Sequence, residues 1–219
     1  MFSEDYVLRI IRQAISVFAK IFGLKSAGQY QEAIQVIDRT LEQLLGMDAE
    51  IIDMMDDENL YILLTKNDAL DLEELEFIAD LFKEKGDIQK QKNRINESVN
   101  CYVRSLNYYL VISINVEPSG LNKLSQKIAD LLQKLASFDF EEQTLLNLYS
   151  YYEKVKEYAK AEAILNQLAS RDQSKAYISD EIKSFYQRLL EKSEKELADG
   201  GVNRAQIQNK LHELESQKK

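Results

Sequence analysis

The most regular pattern in the chain runs from Leu145 to Leu168, LLNLYSYYEKVKEYAKAEAILNQL. Leu145, Leu148, Tyr149 and Tyr152 share one helical face, and Tyr158, Ala161, Leu165 and Leu168 share another. Glu153 to Glu157 is too polar to be buried and long enough to reverse direction, so the segment predicts a helical hairpin. Weaker copies occur elsewhere. Near the start, Ser3, Glu4 and Asp5 favour a helix N-terminus, where acidic groups offset the helix dipole. Apolar residues then recur at three and four along Val7, Ile10, Ile11, Ala14, Ile15, Phe18, Ile21 and Phe22, an unusually wide face. Gly28 closes this helix, and Tyr30, Ala33, Ile37 and Thr40 repeat the second-helix spacing. Leu24 and Tyr30 are six residues apart, as are Tyr152 and Tyr158, which predicts the same turn.

The middle of the chain fits the pattern less simply. Leu75, Ile78, Ala79 and Phe82 repeat the first-helix spacing, with Ala79 at the helix-contact position and Gly86 and Ile88 expected at the turn. Gln91 stands where a small packing residue belongs, and Ser98 and Tyr102 resume the pattern seven residues later. Seven residues are close to two helical turns, so the expectation is a longer second helix, running to about Ile114 and ending before Pro118. Between the first two hairpins, Ile51 to Met55 and Leu60 to Leu64 predict two short helices with acidic caps. Asp53, Asp56, Asp57, Glu58, Asp68 and Asp71 lack the alternating spacing and glycine of a calcium loop. Leu121 to Ala136 predicts an amphipathic helix, and Asp139 with Glu142 resembles a capping box. Tyr177 to Leu197 predicts one long helix stopped by Gly200 and Gly201. Val202, Ala205, Leu211 and Leu214 give a thin last helix suited to a terminal cap. The pattern predicts an all-α chain, one helical-repeat domain over 1–219, with hairpins near 3–45, 71–114 and 141–170 and C-terminal helices over 174–217.

These hairpins resemble tetratricopeptide units, in which an aromatic residue follows the turn three residues before an alanine. Leu148, Tyr152, Tyr158 and Ala161 match, while Tyr149 and Ile21 stand where that family has its helix-contact glycine. The expected turns at Tyr30, Ile88 and Tyr158 are 58 and 70 residues apart, which implies an irregular α-solenoid with extra helices between hairpins. The opening also resembles an uncharacterised bacterial family beginning M-F-x-x-D-Y. The matching residues are Met1, Phe2, Asp5, Tyr6, then Ala19, Lys20, Ile21, Gly23, Leu24, then Gly28, Tyr30 and Ala33. This second resemblance implies a fold and no activity.

Composition narrows the function classes. Seven glycines and one proline in 219 residues suit long helices, and 45% hydrophobic residues supply a core. A net charge of −9, with no basic cluster to offset it, argues against nucleic acid. Arg9 and Arg12 interrupt the first apolar run, and no uncharged stretch reaches membrane-spanning length, so the expectation is a cytoplasmic protein with no membrane partner. His212-Glu213 begins like a zinc-protease motif but lacks the second histidine, and Cys101 has no identifiable basic partner. Gly200-Gly201 lacks the context of a nucleotide loop. No catalytic residue, metal ligand or cofactor site is assigned.

The resulting expectation is a protein–protein interaction module or scaffold. The alternative is a small-molecule sensor or metal-free enzyme with a tyrosine and acidic site. Glu73, Glu76, Asp80 and Glu84 line one face of the middle hairpin and favour a basic protein or peptide. Of twelve tyrosines, most suit helix seams, and Tyr108, Tyr109 and Tyr151 are the candidates for partner contact. The tetratricopeptide resemblance places Ile15, Phe18 and Phe22 toward the groove, to be covered either by a second subunit or by the chain's own C-terminal helices. At the positions where chaperone-type members clamp an acidic C-terminus, this chain has Phe18, Phe22, Glu76, Asp80, Leu146 and Ser150, so that ligand is not expected.

Overall fold

In the computed structural model, residues 4–66, 69–171 and 176–216 are described, and twelve α-helices follow one another along them. They are α1 (Glu4–Ser26), α2 (Tyr30–Leu45), α3 (Ala49–Met54), α4 (Asp57–Leu64), α5 (Leu72–Gln91), α6 (Ile95–Asn115), α7 (Leu121–Lys134), α8 (Glu142–Lys154), α9 (Tyr158–Arg171), α10 (Ala176–Leu190), α11 (Glu194–Asp199) and α12 (Arg204–Ser216). The remaining regular structure is a 3₁₀ turn at Pro118–Gly120 and a two-residue antiparallel ladder pairing Thr65 with Leu70 and Lys66 with Ala69. The expected helix-capping Ser3 and acidic Asp68 lie outside the described residues. The chain divides into two compact units, Met1–Ser137 and Phe138–Lys219.

Three helix reversals share one backbone geometry. Gly28, Asn93 and Lys156 all adopt left-handed conformations, with φ of 73°, 59° and 64°. The following residue then folds back onto the helix: the N–H groups of Gln29, Arg94 and Glu157 donate to the carbonyls of Leu24, Gln89 and Tyr152, each at 2.9 Å. This satisfies carbonyls that the ending helix leaves without partners. The next helices open at Tyr30, Ile95 and Tyr158, 65 and 63 residues apart, so the spacing is far more even than the sequence pattern indicates.

That turn corrects the register of the middle hairpin. Gly86 and Ile88 do not form a turn; α5 runs through them to Gln91, and the seven extra residues lengthen the first helix rather than the second. Aligned on the turns, Gly86 corresponds to Ile21 and Tyr149, while Ser98 corresponds to Ala33 and Ala161. Gly86 is present because α6 leaves no room for a side chain: an added Cβ would sit 2.7 Å from Cδ1 and Cε1 of Tyr102. A glycine that reads as punctuation in the sequence is a close approach between helices.

In unit 1, α5 and α6 form the centre, with Leu75, Ile78, Ala79, Leu106 and Leu110 fully buried. α1 and α2 pack together, and each also contacts α5. α3 and α4 are the two short helices expected before α5, fastened through Ile52, Leu60 and Leu64. Asp56 and Asp71 are caps, accepting from the N–H groups of Asn59 (2.8 Å) and Glu74 (3.0 Å). Arg104 ties α3 to α6: its Nη1 donates to the Ile52 carbonyl at 2.8 Å, and its guanidinium lies 4.3 Å from the centre of the Phe82 ring.

In unit 2, the single long helix expected over Tyr177 to Leu197 is two. α10 ends at Leu190, where Arg204 donates to the carbonyls of Leu190 and Lys192, each at 2.6 Å. Ser193 then caps α11 by accepting from the Glu196 N–H at 3.2 Å. Asp139 does not cap α8; Glu141 precedes that helix, and Asp139 pairs with Arg171 instead. The last helix is anchored by Ile207, which the thin stripe of apolar residues does not single out.

Candidate functional site

The outward face of α1 and the first turns of α5 enclose an open trough of about 560 Å³. Its apolar floor comes from Ile10, Ile11, Ala14, Ile15 and Phe18 of α1 and from Phe77 of α5. Phe18 meets Phe77 edge to face, with ring centres 5.7 Å apart. The wide apolar face of α1 explains the floor, because one helix cannot bury a face that broad. Ile10 and Ile21 turn inward, whereas Ile15 is 66% exposed and Phe22 72%.

The opposite lip carries Glu73, Glu76 and Asp80 of α5 and Lys123 of α7. Lys127 bridges Glu76 at 2.9 Å and Asp80 at 2.7 Å, and Lys123 reaches Glu76 at 3.1 Å. Burial alone would raise the Glu76 carboxyl, but these two lysines hold it below its ordinary value. Glu76 and Asp80 therefore help bind α7 to α5, and Glu73 is the exposed carboxylate of the lip. The sequence pattern shows four acidic residues in a row and cannot show that lysines some fifty positions later lie against two of them.

The trough thus brings together Ile15 and Phe18 with Glu73, Glu76 and Asp80, two sets that the sequence offers for separate roles. It does not include the others. Glu84 is paired with Lys25 at 2.5 Å, where the end of α1 crosses α5. Phe22 is exposed beyond the lining. Tyr108, Tyr109 and Tyr151, the tyrosine candidates for partner contact, are buried core residues instead. Tyr108 sits edge to face against Tyr61 and Phe82, and Tyr151 lies against Tyr152.

The tyrosines have a common structural use that explains their abundance. Tyr102 and Tyr109 of α6 donate to Asp87 (2.7 Å) and Asp80 (2.5 Å) of α5. In unit 2, Tyr149 of α8 donates to Glu181 of α10 (2.6 Å), Tyr158 of α9 to Glu196 of α11 (2.7 Å), and Tyr186 of α10 to Glu162 of α9 (2.5 Å). Each ring fills a seam, and each hydroxyl ties one helix to a carboxylate on another. Burial, reinforced by the neighbouring carboxylate, raises all five phenols, so they keep their protons and remain donors.

Two further groups bear on chemistry. Lys85, 5% exposed, lies at the α2–α3–α5 junction, 2.8 Å from Asp53 and 2.9 Å from Asp38. Burial opposes its charge, but the two carboxylates outweigh burial, and Lys85 stays protonated. Asp38 is raised by its own burial despite Lys85, which makes the better-hydrated Asp53 the firmer partner. Cys101 is buried, and burial pushes its thiol up to about 11. At pH 8 the native protein should therefore resist Ellman's reagent under conditions that label the guanidinium-unfolded chain completely; full labelling of both at one rate would contradict this burial. His212 is exposed on α12. Among the described residues, no group of three or more His, Cys, Asp or Glu side chains could hold a metal ion, and no helix is long and apolar enough to cross a membrane.

The geometry defines an all-helical protein of hairpin pairs with an apolar, acid-lipped trough. The chain belongs to a family of unknown function (DUF6483), whose profile matches residues 1–219. Neither the curated proteins nor the solved structures give a match.

Proposed function

We propose that this chain is a protein-interaction module, an irregular solenoid of tetratricopeptide-like hairpins working in a reducing cytoplasm, which docks a partner protein in the α1–α5 trough. The observation that carries the reading is the trough itself, whose exposed Ile15 stands opposite a lip on which Glu73 is exposed while Glu76 and Asp80 are paired with lysines of α7. Leaving large apolar side chains in water forgoes about 1.5 to 3 kcal/mol each, so a face of this kind gains most from a partner that covers it. The corrected middle hairpin supports the repeat reading, because Gly86, Ser98 and Tyr102 now fall where tetratricopeptide units carry glycine, a small residue and an aromatic. A segment with an apolar anchor and a lysine or arginine fits the trough best. The alternative tyrosine and acidic site has less support, since five phenols are committed to carboxylates between helices.

Glu73→Lys and Ile15→Asp test the reading without removing an ion pair of Glu76 or Asp80. Each is expected to lower capture of the same partner at least tenfold while helical circular dichroism is unchanged, and capture by the unaltered protein should fall as salt rises. Capture by both variants at the level of the unaltered protein would overturn it.

A second use of the same face is a homodimer, favoured by Leu8, Ile11, Ile15 and Phe22, which are all exposed along one side of α1. Sedimentation velocity separates the two uses. A strict monomer at high concentration excludes the dimer.

A further inference from the structure

A second apolar surface lies on α3 and α4, away from the residues of the trough. Met47, Ile51, Met54, Met55, Ile62 and Leu63 line an open cleft of about 460 Å³. Met54 is 86% exposed and Ile62 65%. These side chains are not what holds the two helices in place, because that work falls to the buried Ile52, Leu60 and Leu64. Isolated exposed apolar residues are ordinary, but four exposed ones, Ile51, Met54, Ile62 and Leu63, lining one cleft with the half-buried Met47 and Met55 are not. Three of the four methionines in the chain are among them. Methionine is unbranched and polarisable, so an exposed methionine surface can reshape around an apolar partner.

Charge identifies that partner. From Thr40 to Thr65 the chain has seven acidic residues and no lysine or arginine, so this stretch carries most of the net charge of −9. Asp53 is spent on Lys85 and Asp57 on Arg104 and Asn107. Asp48, Glu50, Asp56 and Glu58 remain exposed on the helices that carry the cleft. An adaptable apolar cleft on two short helices that also expose these four carboxylates is complementary to a helix with apolar anchors on one side and lysine or arginine on the other.

We infer that the α3–α4 methionine surface is a second docking site, for a basic amphipathic helix of a partner protein. It does not depend on the trough, shares no lining residue with it, and can be tested while the trough is intact. The probe is an 18-residue leucine and lysine peptide of helical amphipathic pattern, titrated into the full chain carrying ¹³C-methyl methionine. The methyl signals of Met47, Met54 and Met55 are expected to shift together, and the affinity to fall at least tenfold when salt is raised from 50 to 500 mM. Met54→Glu is the decisive variant. It adds negative charge, so attraction by charge alone would strengthen, whereas docking in the cleft should weaken at least tenfold; Ile62→Glu should behave alike.

Unmoved methyl signals, or tighter binding by Met54→Glu, would overturn the site. So would equal binding of a leucine and glutamate peptide of the same pattern. Methyl shifts that grow with protein concentration without peptide would assign the surface to a second copy of the chain, and shifts caused by phosphatidylcholine vesicles would assign it to lipid; either would overturn the helix assignment.

Discussion

Gly200→Ala is expected to destabilise unit 2 by about 3 kcal/mol, the upper end of the usual cost of overpacking. The added Cβ would lie 2.7 Å from the carbonyl oxygen of Lys156 and closer still to the Tyr158 ring. Neither neighbour can easily yield. Lys156 holds the left-handed turn between α8 and α9, and the Tyr158 hydroxyl is tied to Glu196. The Gly200 carbonyl also accepts from the Ala159 N–H at 3.0 Å, so retreat of the loop would lose that bond. Chemical denaturation followed by circular dichroism measures the effect. Gly23→Ala is the matching control, since a Cβ there meets nothing within 4 Å and α1 should gain about 1 kcal/mol of helix propensity. Equal behaviour of the two variants would refute the close approach at Gly200.

Lys85→Met is expected to cost about 3 kcal/mol, because it leaves Asp38 and Asp53 facing each other without their shared cation. The figure lies at the low end for a broken buried pair, since the Asp53 side chain is 47% exposed and can rehydrate. Replacing the whole triad should be far milder. Asp38→Asn and Asp53→Asn added to Lys85→Met remove the unpaired charges and should recover at least half of the loss. A neutral Lys85→Met single variant would show that the triad contributes nothing to joining α2, α3 and α5.

Hydrophobic periodicity located the helices well wherever apolar residues repeat on one face, as in α2, α7 and α9. It misplaced the middle turn because glycine marks both a chain reversal and a close helix contact, and only the Tyr102 ring distinguishes them at Gly86. Asn93, which makes the reversal, looks like one more polar residue among Lys90 to Arg94. The break between α10 and α11 was illegible for a different reason: its carbonyls are satisfied by Arg204, from a later helix. The floor of the trough was legible at Ile15 and Phe18 because α1 is too apolar for one buried face. Its lip was only half legible, since pairing of Glu76 and Asp80 with Lys123 and Lys127 depends on where α7 lies. Tyr108 and Tyr109 read as candidates for partner contact because adjacent tyrosines cannot both lie on a narrow stripe, yet α6 is covered widely enough to bury both.

The most direct test of the trough as a docking surface is site-specific photo-crosslinking in the cell of origin, with a photoreactive amino acid at Ile15 and, as control, at the exposed Gln43 of α2. A discrete adduct with one protein is expected at Ile15, absent at Gln43 and lost when Glu73→Lys is added. No adduct at Ile15, or the same adducts at both positions, would contradict docking in the trough.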